Sequence, residues 1–374
     1  MRIACLSTDP GIAWGGAKGA SVHLAEIVGA LAAEGVDVLV LASVIAPESP
    51  PSEPNVTLEA LPGERKRASV DERVDGDAAL ADWLVSRLRA FAADAVYERI
   101  ALHSAAGTTA ARALGIPHIV ELNAPLPEEA ARYRQLERPA DAERLERETL
   151  AGADLVLPVS SPLALYASER GARRVEVTPN AAVPERFAGF PARTPAARPL
   201  AVFCGALRPW HGVETIADAW SLLGGSAPPL RVIGDGPGRD VIAAAGAQMV
   251  GAVPHEDVPA LLADAEIGLA PYSPDAPAYF SPLKLFDYLA AGLAVVAADI
   301  PGVRDVTGET GAVLIPPGDA PALAAAVETL VRDADERLRL GQAARLLAAE
   351  HTWQRRGQRI VDAVGELRRP AVAK

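Results

Sequence analysis

The stretch RIACLSTDPGIAWGGAKGASVHLAEIVGALAAEGVDVLVLA, residues 2–42, sets the fold class. It opens on a short apolar run, Arg2–Leu6, and passes into a glycine-rich loop. It then spaces Leu24, Ile27, Val28 and Leu31 on one helical face before a stop at Gly35. VDVLVLA, residues 36–42, is a second buried strand. Strand, glycine loop, helix and strand make a βαβ unit. Further strand-like runs follow at Val56–Leu58, Ala95–Tyr97, His118–Glu121, Leu155–Val159 and Val175–Val177, most of them separated by helical stretches. The charged segment 128–150 reads as one long exposed helical region broken at Pro139.

The same pattern restarts after a proline-rich stretch. PLAVFCG (199–205) is a strand, RPWHG a loop and VETIADAWSLLG a helix, and PLRVIG, AQMVGAV, EIGLAP, LAVVAAD and GAVLIP supply five more strands. Repeated β-then-α with short connections predicts parallel sheets covered on both faces. The expected fold class is α/β, two Rossmann-like domains with parallel sheets facing a central cleft. The domains expected are 1–183, a linker at 184–199 (PERFAGFPARTPAARP), 200–350, and a helix in 351–374 that packs back on the first domain. In open α/β sheets ligands bind beyond the carboxyl ends of the strands, so the loops after the strands are the places to search.

Composition narrows the function. The chain has 374 residues and a net charge of −12, which argues against a general nucleic-acid surface yet leaves room for a local cationic cleft. The two cysteines, Cys5 and Cys204, sit in apolar runs and read as buried thiols in a reduced compartment. The opening MRIACLSTDP turns polar too quickly for a signal peptide, and no apolar run reaches membrane-spanning length. A cytoplasmic protein is expected, with a peripheral membrane contact left open. The histidines lack metal-ligand spacing, there is no GxSxG elbow, and the triplets Asp75–Asp77 and Asp333–Asp335 read as helix caps. No metal is expected.

SPLKLFDYLAAG, residues 281–292, carries the strongest chemical signal. Ser281 suits an N-cap, Pro282 the first helical position, and Gly292 the stop. Amides of Ser281 and Leu283 would point out of the helix start and favour an anion. Lys284 adds a positive charge in the first turn, where the helix dipole prefers an acid. It is either a phosphate ligand or the partner of Asp287 in a surface ion pair. FCGALRPWHG, residues 203–212, places Arg208 and His211 in a loop on the same predicted edge. WGGAKGASVH, residues 14–23, offers Gly15 and Gly16 for close approach of a ligand and Lys18 as a nearby cation, or else a plain tight turn. RVIGDGPGRD, with Gly234, Gly236 and Gly238, has GxGxG rather than GxGxxG spacing, which disfavours a dinucleotide.

Taken in order, GGAKGASVHLAEIVGAL, LAGADLVLPVSSPL, VEVTPNAAVPERF, GALRPWHGVETIADAW, RVIGDGPG, VGAVPHEDVPALLADAEIGLAPY, SPLKLFDYLAAGLAVVAADIPGVRDV and GAVLIPPGD resemble the retaining GT-B glycosyltransferases of family 4. The resemblance implies a nucleotide-sugar donor, with a UDP- or GDP-sugar expected, held mainly by the C-terminal domain. It implies an acceptor hydroxyl on a saccharide, lipid-linked compound or small metabolite bound against the N-terminal domain. The donor is a co-substrate, and no cofactor is expected. The family's usual diphosphate-binding Arg and Lys fall on Ala206 and His211, leaving Arg208 as the substitute cation. Its paired glutamates fall on Tyr279 and Asp287, of which Asp287 keeps a carboxylate for the ribose. Arg208, Lys284 and His211 are the implied catalytic groups. Gly15, Gly16, Gly234, Tyr279, Ser281, Pro282, Leu283 and Asp287 are the implied donor-binding positions. On the acceptor side Lys18, Arg99, His103, Glu121 and Asn123 are the candidates. The alternatives are a nucleotide-sugar epimerase of the same fold and a non-catalytic partner subunit, which Ala206 and Tyr279 keep open.

Overall fold

The computed structural model describes residues 1–368 other than Ala17, Glu48 and 190–194. Of the stretch 184–199, Pro184–Phe187 form a short 3-10 turn, and 190–194 lie outside the described residues, as do 369–374. The chain divides into two compact units, one of Met1–Thr178 with Trp353–Lys374 and one of Pro179–Thr352.

The first unit is built on strands β1 (Arg2–Ser7), β2 (Asp37–Ala42), β3 (Val56–Ala60), β4 (Ala95–Arg99), β5 (His118–Leu122) and β6 (Leu155–Pro158). They form one parallel sheet in the order β3-β2-β1-β4-β5-β6. Order reverses between β1 and β4, which makes that pair the topological switch point. Helix α1 (Gly19–Ala33) buries Leu24, Ile27, Val28 and Leu31 on one face of the sheet, as their spacing predicts. Helices α2 (Asp77–Phe91) and α3 (Ala106–Leu114) cover the other face, where Leu80, Leu84, Ala106 and Ala110 meet Ala4, Leu6 and Val96. The segment 126–152 breaks next to Pro139 as expected, into the helices Leu126–Tyr133 and Pro139–Gly152, and Pro139 opens the second helix in its first turn. Val175–Val177 is not a strand. Only Val175 bridges to Val156, because the chain is about to leave the unit.

The second unit repeats the plan with β7 (Ala201–Cys204), β8 (Leu230–Ile233), β9 (Gln248–Gly251), β10 (Ile267–Ala270), β11 (Ala294–Ala298) and β12 (Val313–Ile315), in the order β9-β8-β7-β10-β11-β12. All its pairs are parallel, and the switch point lies between β7 and β10. Helix α4 (Val213–Leu223) packs Val213, Ile216, Ala219 and Trp220 on one face. Helix α5 (Leu283–Ala291) packs Leu285, Phe286 and Leu289 on the other, with α6 (Ala334–Glu350) against it. The last helix, α7 (Trp353–Arg368), belongs to the first unit and lies on α1. Gly357 makes that approach close, since a Cβ there would stand 3.0 Å from Ala30. Among the described residues no helix is long and apolar enough to cross a membrane.

Candidate functional site

The switch point of the second unit is wedged open by a tyrosine. β7 and β10 pair only at Ala201–Ile267 and Val202–Gly268, and then separate. The Tyr288 hydroxyl fills the gap: it accepts the Cys204 N–H at 2.7 Å and donates to the Leu269 carbonyl at 3.3 Å. Gly268 makes room for that ring, because a Cβ there would stand 2.8 Å from it. Buried backbone groups that the ladder leaves unpaired are thus satisfied by one side chain.

One turn before Tyr288 on the same helix, Lys284 enters the opening. It is 8% exposed, and its Nζ has no hydrogen-bond partner among the described residues. The ammonium lies 4.0 Å from the Phe203 ring centre and 5.4 Å from that of Tyr272, a cation–π setting that offsets only part of the lost hydration. Burial pulls its pKa down from 10.5 to about 7, with a smaller opposing effect from Cys204. Lys284 reaches this position past Gly205 (φ +135°), where a Cβ would lie 3.1 Å from both Cε and Nζ. The Lys284–Asp287 ion pair allowed by their spacing does not form.

Asp287 instead accepts a hydrogen bond from His255 Nε2 at 3.2 Å, and His255 Nδ1 accepts one from Arg186 at 3.3 Å. The Arg186 donor fixes the tautomer, so His255 Nε2 carries the proton. Nothing in the local pattern pointed to His255, which stands 32 residues from Asp287.

The start of α5 differs from the sequence expectation by one position. The helix begins at Leu283, and Pro282 is its N-cap, with no side-chain cap. Ser281 does not cap. Its hydroxyl accepts the Asn180 N–H at 3.0 Å and its carbonyl accepts the Asn180 side-chain amide at 2.5 Å. A long-range anchor has displaced the local cap. The first intrahelical donor of this turn is Leu285 N–H to the Pro282 carbonyl, so the amides of Leu283 and Lys284 are left over at the helix start.

His211 lies in the loop after β7. Its Nδ1–H donates to the Ala206 carbonyl, and burial, helped by Lys284 and Arg208, lowers its pKa to about 3. The ring is therefore neutral at pH 7 and presents Nε2 as an acceptor, not a charge. Arg208 is exposed, with its guanidinium 6.0 Å from the Trp210 ring centre. Tyr279 is half-buried and edge-on to Phe280. Gly234 (φ +139°) serves the fold: a Cβ there would stand 2.0 Å from the Gly205 carbonyl oxygen, so the loops after β7 and β8 meet backbone to backbone.

In the first unit Glu121 is fully buried and saturated. Its Oε2 accepts from His23 at 2.7 Å, from Arg356 at 2.6 Å and from the Tyr97 hydroxyl, while Oε1 accepts from Arg99 at 2.9 Å. His103 is buried in the left-handed region (φ +65°), its Nε2 donating to the Glu137 carbonyl at 2.9 Å. Asn123 is half-buried, with its Oδ1 enclosed and unpartnered among the described residues. Lys18 is exposed at the N-cap of α1. The room beside Gly15 and Gly16 is filled from within the chain, by the side chains of Ser49 and Ser21. Arg208, His211, Lys284, Asp287, Tyr279, Ser281 and Gly234 thus fall in the second unit, and the remaining candidates other than Pro282 and Leu283 in the first.

Two family models cover most of this architecture. Glycosyltransferase Family 4 matches residues 17–186, and Glycosyl transferases group 1 matches residues 198–333. The chain belongs to the family 4, group 1 glycosyltransferases. It is an enzyme that transfers sugars, on the two-domain Rossmann-like GT-B fold. Sucrose-phosphate synthase of Thermosynechococcus elongatus is similar in structure, with 18% identity, a TM-score of 0.75 and 98% of each chain covered. HepE of Anabaena, in complex with UDP, aligns at 17% identity and a TM-score of 0.72 over 98% of this glycosyltransferase and 100% of HepE. A glycosyltransferase of Rickettsia africae aligns at 12% identity and a TM-score of 0.70, with 98% of each chain covered. No curated protein matches the chain by sequence.

Proposed function

We propose that this glycosyltransferase moves a sugar from a nucleoside diphosphate sugar, UDP-linked in the first instance, to an acceptor hydroxyl with retention of configuration and without a metal. One observation carries the donor site: a buried lysine with no partner among the described residues, at the β7/β10 switch point and beside the uncapped start of α5. A buried cation of this kind is costly unless an anion meets it. A diphosphate supplies that anion, and helix amides suit its oxygens. The similarity to a protein solved with UDP supports the choice of base.

As the bond from the anomeric carbon to the β-phosphate oxygen breaks, negative charge grows on the phosphate. Lys284 and the amides of Leu283 and Lys284 are placed to stabilise it, which is the dominant kind of catalytic effect in such transfers. Arg208 extends from an exposed loop and closes on the phosphates. Asp287, held by His255, accepts from the ribose hydroxyls. His211 Nε2 accepts from a sugar hydroxyl. With no nucleophilic side chain assigned, the acceptor oxygen attacks the face that the phosphate leaves, and its proton passes to the leaving phosphate oxygen. Protein cations neutralise the diphosphate, which is why no metal is invoked.

Calorimetric titration with UDP, GDP, ADP and TDP, on wild type and Lys284→Ala, tests this. One nucleotide should bind, and the substitution should weaken it by about tenfold or more. If Lys284→Ala leaves kcat/KM within about threefold, roughly 0.65 kcal/mol, the lysine has been misassigned.

A further inference from the structure

The first unit has its own surplus of positive charge, and it too lies at a switch point. Register pairs Ser7 with Arg99 and Arg99 with Glu121 at the ends of β1, β4 and β5. Paired residues of parallel strands share a face, so the three side chains stand in a row. The face is the one covered by α1 and α7, because His23 of α1 and Arg356 of α7 both bond to Glu121. Every titratable group of this cluster has a defined state. Burial alone would raise the Glu121 pKa, but His23, Arg356 and Arg99 bring it well below the carboxylate range. Burial lowers His23 to about 4, so its ring is neutral at pH 7. Burial and Glu121 hold Tyr97 and Cys5 in their protonated forms. Two guanidiniums therefore face one carboxylate.

The two arginines differ in access. Arg356 is 4% exposed and also donates to the Thr178 carbonyl at 3.1 Å. The Arg99 side chain keeps 13% of its surface and, among the described residues, bonds only Glu121. On the same face, Ser7 Oγ and Asn123 Oδ1 are enclosed and have no hydrogen-bond partner among the described residues. Ser7 stands directly beside Arg99 in register, and Asn123 lies two residues beyond Glu121. α1 starts without a side-chain cap and with Lys18 at its N-cap, adding a positive helix end after the loop that leaves β1. Apolar or cationic ligands would leave all of these groups unsatisfied. A neutral sugar would satisfy the hydroxyls and leave the charge uncompensated.

We propose that the first unit binds a hydroxylated acceptor bearing a phosphate or carboxylate, with the anion at Arg99 and hydroxyls at Ser7 and Asn123. That this ligand is the acceptor rests on the glycosyltransferase reading; the anion site does not. The test is calorimetric titration of the full chain with glucose, glucose 6-phosphate, glucuronate, inorganic phosphate, and phosphatidylglycerol–phosphatidylcholine vesicles, with UDP in parallel. At least one anionic probe should bind about tenfold or more tighter than glucose. Hexose phosphate or glucuronate in that role places the anion on a small acceptor, and vesicles place it on a lipid headgroup. Arg99→Gln should remove the preference while UDP affinity stays within about twofold. Ser7→Ala, which breaks no bond of the fold, should weaken the same probe by about threefold or more. Glucose binding as tightly as every anionic probe would overturn the proposal. So would a preference that survives Arg99→Gln, or a chain that binds UDP and none of the other probes. An Arg99-dependent anion with no UDP binding would support the anion site and sink the donor site of the second unit.

Discussion

The two units share a strand order and treat buried charge in opposite ways. In the first, Glu121 is a buried carboxylate with four donors on it, drawn from α1, β4 and α7. In the second, Lys284 is a buried ammonium with no acceptor among the described residues. A buried charge that is fully bonded ties elements together. A buried charge without a partner waits for one from outside the chain. A saturated carboxylate and an uncompensated ammonium thus occupy two otherwise matching sheets, and the experiments below press on that contrast.

The largest effect is expected at Glu121. Glu121→Gln leaves Arg99 and Arg356 without the carboxylate they share and should cost about 3–5 kcal/mol of stability in urea unfolding. Wild-type stability in that variant would mean the network is not the clamp on α7 that its bonds suggest. Lys284 should behave in the reverse sense. Below pH 7 it is charged in folded and unfolded chains alike. Between about 7 in the fold and 10.5 in the unfolded chain, only the unfolded chain holds the proton, so stability rises with pH through that window, by an amount on the order of 5 kcal/mol in all. Lys284→Met should flatten the rise between about pH 7 and pH 9 while leaving the fold at least as stable at pH 7. An unchanged slope would show that the lysine finds a partner. Binding of a nucleoside diphosphate above pH 7 should take up a proton at the same nitrogen, visible as a buffer-dependent heat. The smallest effect is expected at His255. His255→Ala frees Asp287 and should raise the donor KM by about three- to tenfold with kcat little changed. A fall in kcat alone would move Asp287 from binding into the chemistry.

Some of this is legible one residue at a time. Leu24, Ile27, Val28 and Leu31 declare α1 by their spacing, and Gly292 ends α5 as expected, in the left-handed region at +69°. Lys284 stands out because a lysine gains nothing from the first turn of a helix. Other readings fail where a distant group takes over a local one. Ser281 has the chemistry of an N-cap, yet Asn180, 101 residues away in sequence, claims its hydroxyl. Asp287 has the spacing to pair with Lys284, yet His255 holds it. Gly15 suggests room for a ligand, and Ser49 occupies that room.

The sequence by itself determined two βα-repeating halves, their parallel sheets and the loops that carry the candidate cations, because hydrophobic period, glycine stops and proline positions act over a few residues. Only the tertiary structure decided which charges are compensated. Ion pairing between residues such as Glu121 and Arg356, 235 positions apart, depends on which strand ends and helices meet, and a buried charge is stabilised or left exposed to a ligand by neighbours that no local pattern names.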